Sequence, residues 1–252
     1  DRTFAEDHRT SALVYYYMSD EKASAESTTN MNAIPKRYQG LSARLTYGFR
    51  DTYMIDLNFG YTGSENFQPG RRFGFFASVA LGWVPTQYEF MKNAKWLNFL
   101  KIRASYGTVG NDRLTSTRFP YLTIVNRGSN SPWGSVSQET LIESYIGADN
   151  LEWEVATKFD LGIEGKLFDN RIDFVVDFFN DVRTGIYQRR VQVPSYVGLT
   201  SMPFSNVGEM RSYGADGNIS YTERLTKDLS LTLRGNFTYS KNDIDNWEEA
   251  NP

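Results

Sequence analysis

The residues of this chain best suited to chemistry are charged or amide side chains: Arg44, Asp56, Asn58, Lys101, Arg103, Lys158, Asp160, Glu164, Asp173 and Arg234, joined by Ser105, Asp177, Asn218 and Asn236. Most alternate with apolar neighbours, so each group belongs to one face of an extended strand. Such a set offers hydrogen bonds to a hydrated solute or to another protein segment. Its mixed signs argue against an ion-selective ring. His8 is the only histidine and cysteine is absent, which excludes the common His-based triads and zinc sites. Asp243-Ile244-Asp245-Asn246 resembles the start of a calcium loop but lacks the glycine and the terminal glutamate at the required spacing. No phosphate loop, dinucleotide fingerprint or nucleophile elbow is present. The sequence therefore predicts no catalytic residue, no metal and no cofactor, and the chain is read as not an enzyme.

The elements that carry these residues are strands with one apolar face. Leu41, Ala43, Leu45, Tyr47 and Phe49 alternate with Ser42, Arg44, Thr46, Gly48 and Arg50; after Asp51 the pattern restarts through Tyr53, Ile55, Leu57, Phe59 and Tyr61. This is a hairpin with a minimal turn. Further strands are predicted at 11–18 (apolar on both faces at its centre), 73–83, 100–107, 155–167, 171–181, 213–221 and 229–239, about nine in all, with a short helix over 88–96. The apolar face comprises Leu45, Ile55, Leu57, Phe75, Val79, Leu81, Ile102, Phe159, Leu161, Phe174, Val176, Leu231 and Leu233. Aromatic residues mark strand ends: Tyr47, Phe49, Tyr53, Tyr61, Trp83, Tyr106, Tyr221 and Tyr239.

Connections alternate between short and long. Residues 20–39, 62–72, 109–152 and 183–206 read as long polar connections; the turns near 51, 169 and 227 are short. Outer-membrane barrels alternate short periplasmic turns with longer extracellular loops, whereas a soluble sandwich has no reason to. Aromatics make up 15% of the chain, yet mean hydropathy is −0.49, as expected for a wall with a lipid-facing outside and a wet inside. The net charge of −3, with both signs interspersed, gives no sign of a nucleic-acid partner. The longest mainly apolar run, Phe73 to Val84, is too short for the roughly twenty residues of a membrane helix. The polar stretch from Lys241 to Pro252 shows no closing strand, and the chain reads as a piece of a longer protein. In the two longest connections, Tyr121, Trp133 and Tyr145, and then Tyr187 and Tyr196, are candidates to stack on sugar rings.

Five motifs in order carry a family resemblance: YTGSENFQPGRRFGFFASVALGW (Tyr61 to Trp83), LKIRASYGTVGN (Leu100 to Asn111), NLEWE (Asn150 to Glu154), GIEGKLFDNRIDF (Gly162 to Phe174) and NVGEMRSYG (Asn206 to Gly214). Together they resemble the barrel of SusC/RagA-type TonB-linked outer-membrane transporters. Ala77 stands where that family commonly has proline, and Tyr61-Thr62 replaces its usual Tyr-Asp. The resemblance implies an all-β, antiparallel transmembrane barrel of about 22 strands, of which residues 1–252 form a central segment. It implies an outer-membrane location in a Bacteroidetes-type Gram-negative bacterium and import of a glycan or peptide. It further implies coupling to TonB through a plug not matched in this sequence, and a SusD-like surface lipoprotein as partner of the loop aromatics. Two alternative readings stand beside it: a passive porin, and a secreted β-sandwich acting as a carbohydrate-binding or adhesin module. An open sheet with two free edges and a lipid-facing side is expected only within a complete barrel.

Overall fold

The computed structural model describes residues 2–4, 7–22, 34–199 and 201–249. Its strands in chain order are β1 (Arg2–Phe4), β2 (His8–Glu21), β3 (Lys36–Phe49), β4 (Tyr53–Ser64), β5 (Phe73–Trp83), β6 (Leu97–Asn111), β7 (Ile124–Arg127), β8 (Ser131–Trp133), β9 (Val136–Gln138), β10 (Leu141–Tyr145), β11 (Glu154–Leu167), β12 (Ile172–Arg189), β13 (Phe204–Arg224) and β14 (Ser230–Asn246). One antiparallel sheet holds ten of them in the order β1-β2-β3-β4-β5-β6-β11-β12-β13-β14. It is a meander in which each strand pairs with the next long one. The nine long strands are those the alternation predicts, with the three-residue β1 added at one edge.

Register settles which side chains share a face. Leu45, Leu57, Val79, Tyr106 and Phe159 lie side by side across five strands. On the opposite face run Thr46, Asp56, Ala80, Ser105 and Asp160. Among the described residues nothing covers the apolar row: Leu45, Leu57, Leu81, Phe75 and Leu233 are all exposed, and Ile102, Leu161, Phe174 and Val176 are half-buried. A sandwich would bury this face under a second sheet. Here the largest fully buried side chains among the described residues are Phe67 and Leu151, both in long connections at one end of the sheet.

The turns explain why the other end is tight. Arg50 and Asp51 have φ of 52° and 50°, as a mirror-image hairpin turn requires. Phe168, Asp169 and Asn170 repeat the device at φ 53°, 58° and 63°.

Several sequence expectations are corrected. The segment 109–152 is not featureless: β6 runs on to Asn111, and a folded arm follows in which β7 pairs with β10 and β8 with β9. The expected connection 183–206 shrinks to 190–203, because β12 and β13 continue as a ladder up to the pair Arg189 and Phe204. Their upper turns lose simple alternation because the register shifts near Arg183 and Ile186. The polar stretch after Tyr239 is strand as far as Asn246. The helix expected over 88–96 is one turn, α1 (Glu89–Lys92), preceded by a 3-10 turn at Pro85–Gln87. The middle of the 20–39 connection, including Ser27 to Asn30, lies outside the described residues.

Candidate functional site

Two groups of functional side chains emerge, one on the polar face and one at the long-connection end. On the polar face, the register places Arg103 beside Gly162, and Gly162 beside Asp177. Asp160 and Glu164 flank Gly162 two residues away on the same face. The guanidinium reaches all three acids: Nε donates to Glu164 at 2.9 Å, Nη1 to Asp160 at 3.1 Å and Nη2 to Asp177 at 2.7 Å. Lys101 adds a contact to Glu164 at 3.4 Å. Gly162 makes this possible, since a Cβ there would come within 2.7 Å of Arg103 Cζ and would overlap Asp177. That glycine was not among the sequence candidates; its only signal was a gap in a row of charges.

The remaining polar-face candidates pair more simply. Arg44 grips Asp56 through Nε at 3.0 and 3.1 Å and through Nη2, while Asn58 donates to the same carboxylate at 2.9 Å. Lys158 pairs with Asp181 at 3.0 Å and Asp173 with Lys166 at 3.6 Å. Arg234 stands opposite Ser220 without an ion pair among the described residues. Arg44, Asp56, Lys101 and Arg103 line one open hollow of about 560 Å³, left by the small side chains Ala80 and Gly82 of β5. The wall is thus polar but largely neutralised, suited to hydrogen bonding rather than to selecting an ion.

Half-exposed ion pairs contribute little singly, about 0–1 kcal/mol each. A shared guanidinium differs, because its removal leaves three acids facing one another. Arg103→Met is expected to cost about 1–3 kcal/mol, less than the 3–5 of a fully buried pair because solvent screens part of it. Arg103→Met with Asp177→Asn should recover part of that loss, as read by urea unfolding of the detergent-solubilised protein. Equal stabilities for wild type and Arg103→Met would show that the cluster merely solvates the wall.

At the long-connection end, Phe67 and Leu151 form a small core with Ala148, and Leu114, Tyr121, Trp153 and Tyr187 pack around it. Trp153 stacks on Phe67 at 4.8 Å and meets Phe76 edge-on at 5.4 Å. Polar clamps surround this core. Ser64 Oγ bonds Asp112 at 2.7 Å, Gln68 donates to the Asp149 carbonyl at 2.6 Å, and Arg71 pairs with Glu152. Asn206 accepts from Glu152 N–H at 3.0 Å and donates to the carbonyls of Glu152 and Gly185 at 3.0 and 2.8 Å. Three of the five sequence motifs therefore converge on one knot.

Of the loop aromatics, Tyr121, Tyr145 and Tyr187 join this knot. The hydroxyls of Tyr145 and Tyr187 lie 2.6 Å apart, and Phe204 stacks on the Tyr187 ring at 5.3 Å. Tyr187 sits on β12 rather than in a loop. Burial pushes the Tyr145 phenol above its ordinary range, so the hydroxyl stays protonated and keeps donating. Trp133 and Tyr196 are not brought in; they are 81% and 88% exposed at the tips of their connections. Phe67, Trp153 and Asn206 went unnoticed as candidates, although the motifs contain all three.

Comparison with known proteins places this geometry. The family model "TonB dependent receptor-like, beta-barrel" matches residues 2–252. TonB-dependent receptor P3 of Formosa agariphila is 28% identical over 79% of this chain and 19% of its own length. TonB-dependent receptor SusC of Bacteroides thetaiotaomicron is 26% identical over 80% of this chain and 20% of its own length. The chain thus spans about a fifth of the curated relatives it matches. Among solved structures, the RagAB peptide importer in its open-open state superposes with a TM-score of 0.78 at 22% identity, over 98% of this chain and 29% of that one. The siderophore receptor PirA of Pseudomonas aeruginosa superposes less closely, with a TM-score of 0.54 at 14% identity, over 94% of this chain and 44% of that one.

Proposed function

The chain belongs to the TonB-dependent receptor-like β-barrel family, and from that premise we propose that it forms barrel wall and extracellular loops of a TonB-dependent nutrient importer. Its place is the outer membrane: an apolar face with nothing packed on it, backed by a hydrogen-bonded polar face, suits only a wall between lipid and water. The long-connection end is then extracellular and the tight turns are periplasmic. The observation that carries the import reading is the polar wall itself, whose paired charges around Arg103 and Arg44 offer hydrogen bonds without a net ionic preference. The cargo is a polar, polymer-derived solute, a glycan or a peptide. The neighbour named a peptide importer supports the peptide side of that range.

Energy reaches such a barrel from the periplasm through TonB acting on a plug within the lumen. Extracellular Trp133 and Tyr196, exposed and unengaged by the knot, are the aromatic contacts offered to a SusD-like surface lipoprotein. A passive porin with the same wall would need no energy. Uptake of labelled oligosaccharides and oligopeptides by cells expressing the receptor separates the two. In a strain lacking TonB, uptake is expected to fall to the level of cells without the receptor; undiminished uptake would favour the porin.

A further inference from the structure

At the tight-turn end, a cleft of about 450 Å³ opens between the segment leading into β6, which supplies Lys95 and Trp96, and the β11–β12 turn, which supplies Phe168, Asp169 and Arg171. Tyr221 of β13 closes its far side. The three rings are left in the open: Trp96, Phe168 and Tyr221 are 56%, 50% and 38% exposed. Phe168 has a φ of 53°, a conformation that bulky side chains rarely adopt. The turn is pinned there, because Phe168 N–H donates to the Trp96 carbonyl at 2.9 Å and Arg171 N–H to the Phe168 carbonyl at 3.2 Å. The protein thus holds an aromatic ring in a demanding place without burying it, so packing within the chain does not account for it. Tyr221 stands across from Ile172 and from Leu233, on the outward, apolar side of the sheet. Ile219, two residues along β13 on the same face, and Leu233 are both exposed. The cleft therefore runs straight onto the apolar face.

The polar groups of the cleft carry both signs. Arg171 Nη1 pairs with Glu223 at 3.0 Å, and the Tyr221 hydroxyl donates to the same carboxylate at 2.9 Å. One such contact leaves most of the guanidinium's donors unused. Lys95 and Asp169 line the same cleft, yet among the described residues neither pairs with the other or with any other side chain. We propose that this cleft binds the headgroup of a zwitterionic aminophospholipid. Its phosphate accepts from Lys95 and Arg171, and its ammonium donates to Asp169. The glycerol lies against Trp96 and Phe168, as aromatic rings at a membrane interface favour, and the acyl chains follow Ile219 and Leu233. The proposal rests on the wall reading, under which this end meets the periplasmic leaflet, and goes beyond it by naming a lipid. Charge decides between headgroups. Lys95 and Arg171 are matched by Asp169 and Glu223, so an anionic lipid would face two carboxylates with no cation of its own to answer them. A phosphate with an ammonium a few bonds away satisfies both signs.

The test is native mass spectrometry of the full-length receptor in detergent, titrated with dioleoylphosphatidylethanolamine and, separately, with dioleoylphosphatidylglycerol. The ethanolamine lipid is expected to be retained about tenfold more strongly. Lys95→Gln combined with Asp169→Asn, both at exposed positions, should abolish that preference. Trp96→Ala should weaken retention of both lipids alike, since it removes the platform and leaves the charges. All variants should keep the heat-modifiable mobility of a folded barrel. Equal retention of the two lipids by the wild type, or stronger retention of the glycerol lipid, overturns the headgroup assignment. A preference that survives Lys95→Gln with Asp169→Asn overturns the cleft as its site. Either result in a receptor whose uptake still requires TonB removes the lipid site and leaves the importer standing. A preference lost with the double substitution, in a receptor whose uptake ignores TonB, does the reverse.

Discussion

Phe67→Ala is expected to cost about 3–5 kcal/mol, the range for truncating a fully buried aromatic, and to do so locally. Phe67 is 0% exposed and stacks on Trp153, which in turn meets Phe76 of the wall. It is therefore the pin between the 65–72 connection, the folded arm and the sheet. The clamps around it depend on its position: Arg72 Nε donates to the Phe67 carbonyl at 3.2 Å, and Gln68 holds the Asp149 carbonyl. Removing the ring leaves a cavity beside Leu151 that these clamps cannot close. Yet the ladders of β3 to β6 and β11 to β13 do not pass through Phe67. Hydrogen exchange should therefore accelerate from Ala148 to Glu154 and through 65–72, while the amides of β4 and β5 keep their protection. If exchange rises across the whole sheet instead, the knot is part of the barrel's global stability rather than a separate extracellular unit.

What the sequence made legible follows from how regular each region is. The strand faces are readable because a two-residue period repeats over ten or more residues, and a one-residue slip would turn Leu57 onto the polar face. The ends are not. β12 carries a register shift near Arg183 and Ile186, and each shift breaks the alternation that betrays a strand, so Tyr187 reads as a loop residue in the sequence. The folded arm escaped for a different reason. β7 to β10 are three to five residues long, too short for any period to show.

The polar-face residues were found one by one, but their grouping was not. Arg103 and Asp177 are 74 positions apart in sequence, and only the pairing of β6 with β11 and of β11 with β12 brings them together. Gly162 was invisible because its contribution is missing volume. Asn206 illustrates the reverse case. Its motif stood out, but the reason for the asparagine, three hydrogen bonds to Glu152 and Gly185, needs the third dimension.

Leu57→Arg should be the most damaging single change on the outer face. Leu57 is flanked by Leu45 and Val79 in register, with Ile55 and Phe59 beside it on the same strand. Tyr53 and Tyr61 close the row at either end, Tyr61 stacking on Phe73 at 5.0 Å. Eight residues separate these tyrosines; at about 3.4 Å per residue and a tilt of about 40°, they stand roughly 20 Å apart along the membrane normal. That is close to the roughly 25 Å apolar band of an outer-membrane barrel, and it puts Leu57 near the midplane. A guanidinium there has neither water nor a partner within reach, and the cost is about 2–4 kcal/mol. Thr46→Arg is the control, since Thr46 neighbours Leu45 in sequence but faces the other way, directly across from Asp56. There the new charge meets solvent and a carboxylate, and the expected change is within about 0.5 kcal/mol. Folding into lipid vesicles, followed by heat-modifiable gel mobility, reads both. Equal yields for the two variants would mean that the apolar row does not face lipid, whereas a loss confined to Leu57→Arg assigns the two faces of the wall by a difference of one residue.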